Sequence, residues 1–363
     1  MRILLITGSL HPMKCGVGDY TYHLANALAL DTKLKIAVLT SISAKVAEYG
    51  SRIEIFPLLT KWSFAEAFKV INLIRTWSPD IVHIQYPTQG YSKGLLPWML
   101  PMISFILGSK VVQTWHEGYS RRHAPWFFLK VVVPGALVFV RPQYEINLHP
   151  YMRWALWKKN ISYIQNASAI PFIELNNLAK EKERAKYLKK QKRLIVFFGF
   201  VHPNKGVELL LDIADPDLDH IVIAGEIDES SEYSYEIKSR ASAEVWKDKV
   251  IITGFIPAMD VAKLLAVADA VILPFRVGGG EWNTSIHGAV LNGAFVLTTS
   301  LTQNGYDKKR NIYSAKVDDI QEMRLALRTY AGKKREYNSS IDRNEWTNIA
   351  KKHCVLYRKV LKE

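Results

Sequence analysis

The feature that most constrains this chain is an alternation that runs through it twice. Short runs rich in Val, Ile and Leu lie at 3–7, 34–39, 53–57, 81–85, 110–114, 136–140 and 161–164. Helix-length segments separate them, and 20–30 and 64–77 carry apolar residues at helical spacing. Strand-like runs joined by helical connections make βαβ units and a parallel sheet. The pattern then restarts, with strands expected at 194–198, 220–224, 250–253, 270–273 and 294–299. Helices are expected at 207–214, 233–243, 261–267 and 285–291. A chain of 363 residues has room for two such domains. The expected architecture is α/β: two doubly wound Rossmann-like domains, 1–168 and 194–341, facing a central cleft. Residues 169–193 are expected to link them, because 180–193 hold eight Lys or Arg in fourteen positions and read as an exposed helix or linker. Ligands of such sheets bind beyond the carboxyl ends of the strands.

Composition excludes several classes. With 48% hydrophobic and 23% charged residues the chain is neither disordered nor collagen-like. Two cysteines, Cys15 and Cys354, make no disulfide framework or multi-cysteine zinc site and suit a reducing compartment. MRILLITGSL reads as a buried strand rather than a signal peptide. No apolar stretch reaches the length of a spanning helix, so a cytoplasmic protein is expected, free or peripheral on the membrane face. Net charge is +14, and residues 1–168 contribute 18 Lys/Arg against 8 Asp/Glu, together with seven of the ten tryptophans. Three readings fit: an anionic lipid surface, nucleic acid, or the ordinary basic surface of a soluble enzyme.

Four strand-end segments carry candidate chemistry. In the first loop, 11–20, Gly16 and Gly18 would let backbone approach a ligand, and the following helix start favours phosphate. The spacing lacks the third glycine of the dinucleotide fingerprint, so an ordinary turn is the alternative. After the strand at 194–198 comes Gly199-Phe-Val-His-Pro-Asn-Lys205-Gly206, where Asn204 is expected to cap a helix. Lys205 at that helix start is unfavourable unless an anion is present, so it is either a phosphate ligand or a surface lysine. The third segment, Pro274 to Ser285, puts Glu281 in a loop with three glycines, suited to sugar hydroxyls or incidental to a flexible loop. The fourth is His116-Glu117, after 110–114; a strand-end histidine is a donor, acceptor or general base, or a satisfied core residue. No metal-ligand spacing, G-x-S-x-G or P-loop occurs, so no catalytic metal is expected.

Taken together, these segments resemble the family-4 retaining glycosyltransferases of GT-B fold. ILLITGSLHPMKCGVGDYTYHLANAL resembles the family's opening strand, glycine loop and helix; PDIVHIQYP and VVQTWHE its mid-domain strands; and FFGFVHPNKGVELLLDIA its second-domain start. GFIPAMDVAKLLAVADAVILPFR followed by GGGEWNTSIHGAVLNGAFVLTTS resembles the donor-site signature, and EWTNIAKKHCVLYRKVL the terminal helix that, in the family, crosses back onto the first domain. The resemblance implies an acceptor-side domain at 1–168, a nucleotide-sugar domain at 194–341 and a returning helix in 342–363. It implies that Gly18 lies against the donor diphosphate, Lys205 neutralises it, Glu281 holds sugar hydroxyls and His116 stands near the transferred sugar. The implied donor-binding set is Gly16, Gly18, Lys205, Arg276, Glu281, Thr284 and Ser285, with His116, Lys205 and Glu281 catalytic.

Three departures stand out. Phe200 replaces the family's arginine, and Arg276 is expected to substitute. The family's two glutamates would fall at Gly280 and Gly288, so the ribose-binding one is absent, and Glu281 stands one position late. The implied reaction moves a sugar from a UDP-, GDP- or ADP-sugar to an acceptor hydroxyl with retention and no resident cofactor. It implies same-face attack assisted by the leaving diphosphate, with closure between the domains. A lipid-linked or surface-polysaccharide acceptor would suit an anionic membrane surface, with the apolar segment 95–107 and its flanking Lys93, Lys110, Arg121, Arg122, Trp98, Trp115 and Trp126 as one face, and 151–159 as another. The alternative is that 95–107 packs inside the first domain. Rival readings are a sugar-nucleotide 2-epimerase of the same fold and a non-enzymatic basic binding protein. The chain lacks the aromatic–basic stacking platform of single-strand binders, so no nucleic-acid partner is expected.

Overall fold

A computed structural model describes residues 1–44, 52–117, 124–142, 148–157, 159–188, 192–280, 282–335 and 345–362. The chain divides into two units, Met1–Ala167 with Asn344–Glu363, and Ser168–Arg343.

Unit 1 is a seven-stranded parallel sheet: β1 (Arg2–Ile6), β2 (Lys35–Ser41), β3 (Ile53–Leu59), β4 (Ile81–Tyr86), β5 (Lys110–Trp115), β6 (Ala136–Phe139) and β7 (Asn160–Tyr163). The order is β3-β2-β1-β4-β5-β6-β7. Successive residues of a strand point to opposite faces, so a strand covered on both sides is apolar throughout. β1 shows this: Ile3 and Leu5 enter one buried cluster, Leu4 and Ile6 the other. Helix α1 (Gly16–Leu28) and the terminal helix Glu345–Lys362 close the first face. Ile349, Ala350, His353, Leu356, Tyr357 and Val360 form the buried stripe of that terminal helix, at helical spacing. Helices α2 (Ala67–Trp77) and α3 (Leu96–Ile106) close the second face.

Helices α4 (Ala124–Val131) and α5 (Pro150–Ala155) complete unit 1 and were not foreseen from the sequence. Segment 95–107 takes the inward alternative: α3 buries Leu96, Pro97, Trp98, Leu100, Pro101 and Ser104. Pro97 sits in the first turn, where its missing N–H is harmless. Among the described residues no helix is long and apolar enough to cross a membrane.

Unit 2 repeats the plan with β8 (Arg193–Phe198), β9 (Asp219–Ala224), β10 (Val250–Ile252), β11 (Ala270–Leu273), β12 (Val296–Ser300), β13 (Gly305–Asp307) and β14 (Ile312–Lys316). The order is β10-β9-β8-β11-β12-β14-β13, parallel except that β13 runs antiparallel to β14. Its helices are α6 (Asn177–Ala185), α7 (Leu210–Ile213), α8 (Glu232–Ala241), α9 (Ala258–Val267), α10 (Thr284–Leu291) and α11 (Ile320–Tyr330). The stretch expected as a linker, 169–193, is instead built into this unit. Asn292 bonds it twice, accepting from Ile173 N (3.1 Å) and donating to Pro171 O (3.1 Å). Arg184 of α6 donates to Val267 O (2.8 Å) and pairs with Asp269. Lys180, Lys182, Lys186 and Lys192 are exposed, while Arg193 pairs with the buried Asp219.

In both sheets the chain leaves the central strand in opposite directions, between β1 and β4 and between β8 and β11. Ligand crevices form beyond the strand ends at such points. In unit 1 the two loops there are knit together. Gly8 N donates to Thr88 Oγ1 (2.9 Å) and Gly90 N to Ser9 Oγ (2.7 Å). A Cβ on Gly90 would stand 1.8 Å from Gly8 O, so the backbones touch because no side chain intervenes. Gly90→Ala should therefore destabilise unit 1 by about 3 kcal/mol through overpacking. Urea unfolding followed by tryptophan fluorescence checks this; an unchanged midpoint would show that the loops separate freely.

Candidate active site

Each unit presents a strand-end crevice of its own at its switch point. In unit 1, α1 starts at Gly16 directly after the β1 loop, and Asp19 N is the first amide bonded back, to Cys15 O (2.9 Å). The amides before it form the open first turn. The two glycines differ in role. A Cβ on Gly16 meets nothing within 4 Å, whereas one on Gly18 would lie 2.9 Å from Ser9 O. Gly18 thus lets the helix start press against the β1 loop. Asp19 in that turn escaped the sequence reading; burial pushes its carboxyl up to about 6, against a lowering pull from His11.

His116 follows β5 and is pinned there. Its amide donates to Tyr86 O (2.8 Å), and its Nε2 stands 2.9 Å from Gln85 Oε1. Tyr20 of α1 meets its ring edge-on at 4.7 Å between centroids. Only 8% of the residue is exposed. Burial, with a smaller push from His353, brings its pKa down to about 3, so the ring is neutral at physiological pH.

In unit 2, β8 ends at Phe198, and Gly199 turns the chain at φ +125°. Pro203–Lys205 form one short turn capped by the His202 side chain, which accepts from Asn204 N (3.2 Å). The expected cap, Asn204, instead offers its carbonyl to Arg276 N (3.0 Å), tying the loop to the one after β11. Gly206 then takes φ +63°, and a Cβ there would come within 2.3 Å of Pro274 O. Only glycine satisfies both demands. This turn sets Lys205, half-buried, with Nζ 4.5 Å from the centre of the Phe275 ring. Phe200, at the family arginine position, is 43% exposed.

Arg276, expected as the substitute cation, is paired with two carboxylates. Its Nε donates to Glu208 Oε1 (3.0 Å) and its Nη1 to Asp318 Oδ1 (2.7 Å). These carboxylates compensate its charge inside the unit. Glu208 also accepts from Tyr233 OH. Neither partner was foreseen, because both lie far from Arg276 in sequence.

The loop after β11 and the helix that follows it are crowded at Gly280 and Gly288. A Cβ on Gly280 would fall 2.3 Å from the Trp282 ring. One on Gly288 would fall 2.9 Å from Ser168 Oγ and 3.2 Å from Ile170 Cβ. At both positions a side chain would have to displace these neighbouring side chains. Glu281 lies outside the described residues. Asn283 precedes α10 and its Oδ1 accepts from Gly280 N (3.0 Å). Thr284 is exposed at the start of α10, and Ser285 Oγ lies 3.5 Å from where a Gly199 Cβ would be. The structure therefore gathers Gly199, Lys205, Arg276, Thr284 and Ser285 at one strand-end crevice, and Gly16, Gly18 and His116 at the other unit's.

Comparison with known proteins gives these crevices a context. Residues 192–331 match the family model described as Glycosyl transferases group 1, and residues 14–127 that of Glycosyl transferase 4-like. YtcC of Bacillus subtilis (strain 168), a protein named provisionally as a glycosyltransferase, is 27% identical over 150 residues, 38% of this chain. The match spans only 36% of that curated relative's length. Among solved structures, a glycosyltransferase from Rickettsia africae ESF-5 superposes with TM-score 0.72 at 14% identity, covering 100% of this chain and 99% of that one. Anabaena Alr3699/HepE in complex with UDP and glucose gives 0.69 at 15%, covering 100% and 98%. The catalytic domain of Arabidopsis thaliana Starch Synthase IV bound to ADP and acarbose gives 0.71 at 12%, covering 100% of both. At such identities the likeness establishes the shared fold. With one family model matching within each unit, and these neighbours over the whole chain, the protein belongs to the family-4 glycosyltransferases of GT-B fold.

Proposed function

We propose that this protein is a retaining glycosyltransferase that takes a sugar from a nucleoside diphosphate sugar and passes it to an acceptor hydroxyl. The observation that carries this reading is the crevice of unit 2. There Lys205 and the open first turn of α10, headed by Thr284 and Ser285, are held at the ends of β8 and β11. A cation and unpaired amides at a helix start suit a diphosphate. Solved relatives of this fold hold UDP, UDP-glucose or ADP, which supports a UDP-, GDP- or ADP-sugar donor.

Catalysis in this reading is electrostatic. As the sugar–phosphate bond breaks, charge develops on the diphosphate, and Lys205 with the α10 amides stabilises it. The acceptor hydroxyl attacks from the face the diphosphate leaves and gives up its proton to a diphosphate oxygen, so no enzymic nucleophile is needed. Glu281 accepts hydrogen bonds from the donor sugar's hydroxyls. His116, neutral, takes part as a hydrogen-bonding group rather than as a cation. Arg276 is bound to Glu208 and Asp318, so it supports the loop and contributes to the diphosphate only through its field.

The acceptor we favour is lipid-linked or a surface polysaccharide, met at an anionic membrane. Trp98 and Trp115 do not serve such a surface, since both are buried in unit 1. Arg121 and Arg122 lie outside the described residues, as does the Trp126 side chain. What favours the surface is the second expected face, 151–159, together with exposed residues of the neighbouring helices. Helices α3, α4 and α5 pack in series, and Ile106, Phe128, Val132, Trp154 and Trp157 stand exposed on or just after them, Trp154 and Trp157 by 68% and 69%. Exposed Arg153 adjoins the pair. Apolar rings beside cations suit the headgroup layer of an anionic bilayer.

Three outcomes follow. Lys205→Ala should weaken nucleoside diphosphate binding by calorimetry and lower turnover by about 10²–10³ without changing the unfolding midpoint; unchanged kinetics would remove Lys205 from the site. Glu281→Gln should impair use of the intact donor more than binding of the bare nucleoside diphosphate; equal loss for both would place Glu281 on the nucleotide. Liposomes of rising anionic-lipid content should float the protein at low salt and release it at high salt, and Trp154→Ala with Trp157→Ala should abolish flotation. Flotation indifferent to both lipid charge and those substitutions would sink the membrane reading.

A further inference from the structure

A buried polar path runs through unit 1 from the terminal helix to His116. His83 and Gln85 lie two residues apart on β4, hence on one face, and neither is exposed. Gln85 Oε1 stands 2.9 Å from His116 Nε2, and Gln85 Nε2 stands 3.2 Å from His83 Nε2. His83 Nδ1 stands 2.7 Å from the hydroxyl of Tyr357, a fully buried residue of the terminal helix. Thr114 Oγ1 lies 2.7 Å from His83 Nε2.

The Gln85 amide, with its oxygen toward His116 and its nitrogen toward His83, gives the path a direction. An amide oxygen only accepts, so His116 Nε2 carries a proton and donates it to Gln85. An amide nitrogen only donates, so His83 Nε2 accepts from Gln85, and from Thr114 as well. The His83 proton is then on Nδ1 and is donated to Tyr357. The groups facing His116 leave this unopposed. Tyr20 meets its ring from α1, and His353 from the terminal helix is brought down to about 4, chiefly by burial. Burial, with smaller pushes from His353 and His116, holds His83 well below its ordinary value too, so all three rings are neutral near pH 7 and each has one donor and one acceptor.

We propose that Gln85, His83 and Tyr357 are positioning residues that lock His116 in the tautomer with its proton on Nε2, leaving Nδ1 as the acceptor for a hydroxyl of the transferred sugar. A packed core gains nothing from three buried polar groups in a row unless each is satisfied. Here each is satisfied in sequence, and the series ends at His116, at the carboxyl end of the sheet. The sugar's place at His116 rests on the glycosyltransferase reading; the tautomer does not.

The test separates the two. Nitrogen-15 spectra of histidine-labelled protein, with His116→Asn to identify the signal, should show His116 protonated on Nε2 and bare on Nδ1, with no substrate present. Gln85→Leu and Tyr357→Phe should each mix the tautomers and lower kcat roughly tenfold to a hundredfold, in line with a misplaced catalytic group, while affinity for the bare nucleoside diphosphate stays constant. Gln85→Glu, which keeps an accepting oxygen, should hold the Nε2 proton and retain more activity than Gln85→Leu. A His116 proton on Nδ1, a tautomer unmoved in both Gln85→Leu and Tyr357→Phe, or a shifted tautomer with unchanged kcat would overturn the proposal. Absence of sugar transfer from any UDP-, GDP- or ADP-sugar by the wild-type protein would instead overturn the glycosyltransferase reading, and would leave the tautomer result standing.

Discussion

Each sheet of this protein is closed on both faces by helices, and that closure governs where chemistry can occur. A charged or hydrogen-bonding group inside such a layer carries a desolvation penalty unless a partner meets it. The strands are consequently apolar through most of their length, from Ile3–Ile6 to Val296–Leu297. Polar function is displaced to the ends, and of the two ends the carboxyl one has helix starts with open amides. Lys205, Thr284, Ser285, Gly16 and His116 all stand in such places. β4 breaks the rule with His83 and Gln85, and there the unit provides a partner for every atom.

What the sequence revealed follows from the same physics. Apolar runs report strands buried on both faces, as Ile3–Ile6 of β1 and Leu194–Phe198 of β8 are. β13 and β14 escaped because they form a half-polar hairpin at the sheet edge, where Tyr306, Asp307 and Tyr313 give no apolar run. α11 carried a readable start, Asp319 accepting from Glu322 N (2.9 Å), with Met323, Ala326 and Leu327 beneath. The basic stretch 180–193 misled because charge reports solvent on one face and is silent about the other, where Arg184 grips Val267 and Asp269.

The candidate site residues were legible in part. Lys205 and His116 occupy positions that local sequence can indicate: a cation in a glycine-ended turn, and a histidine just past a strand. The state of Arg276 was hidden, since Glu208 and Asp318 meet it only after folding. Gly280 and Gly288 looked like losses when compared with related sequences. In the structure they are accommodations to Trp282 and to Ser168 with Ile170. A glycine in a ligand column therefore reports what presses on it as much as what it fails to bind.

The terminal helix has one more consequence. Unit 1 is assembled from both ends of the chain, with unit 2 between them. During synthesis, residues 1–167 emerge first but lack Ile349, Leu356, Tyr357 and Val360, which cover one face of their sheet. Unit 2 follows with all of its own core residues and is free to fold as soon as it clears the ribosome. The usual order of maturation is thereby inverted. The first-made unit has one face open and His83 without its Tyr357 partner until residues 345–362 follow unit 2.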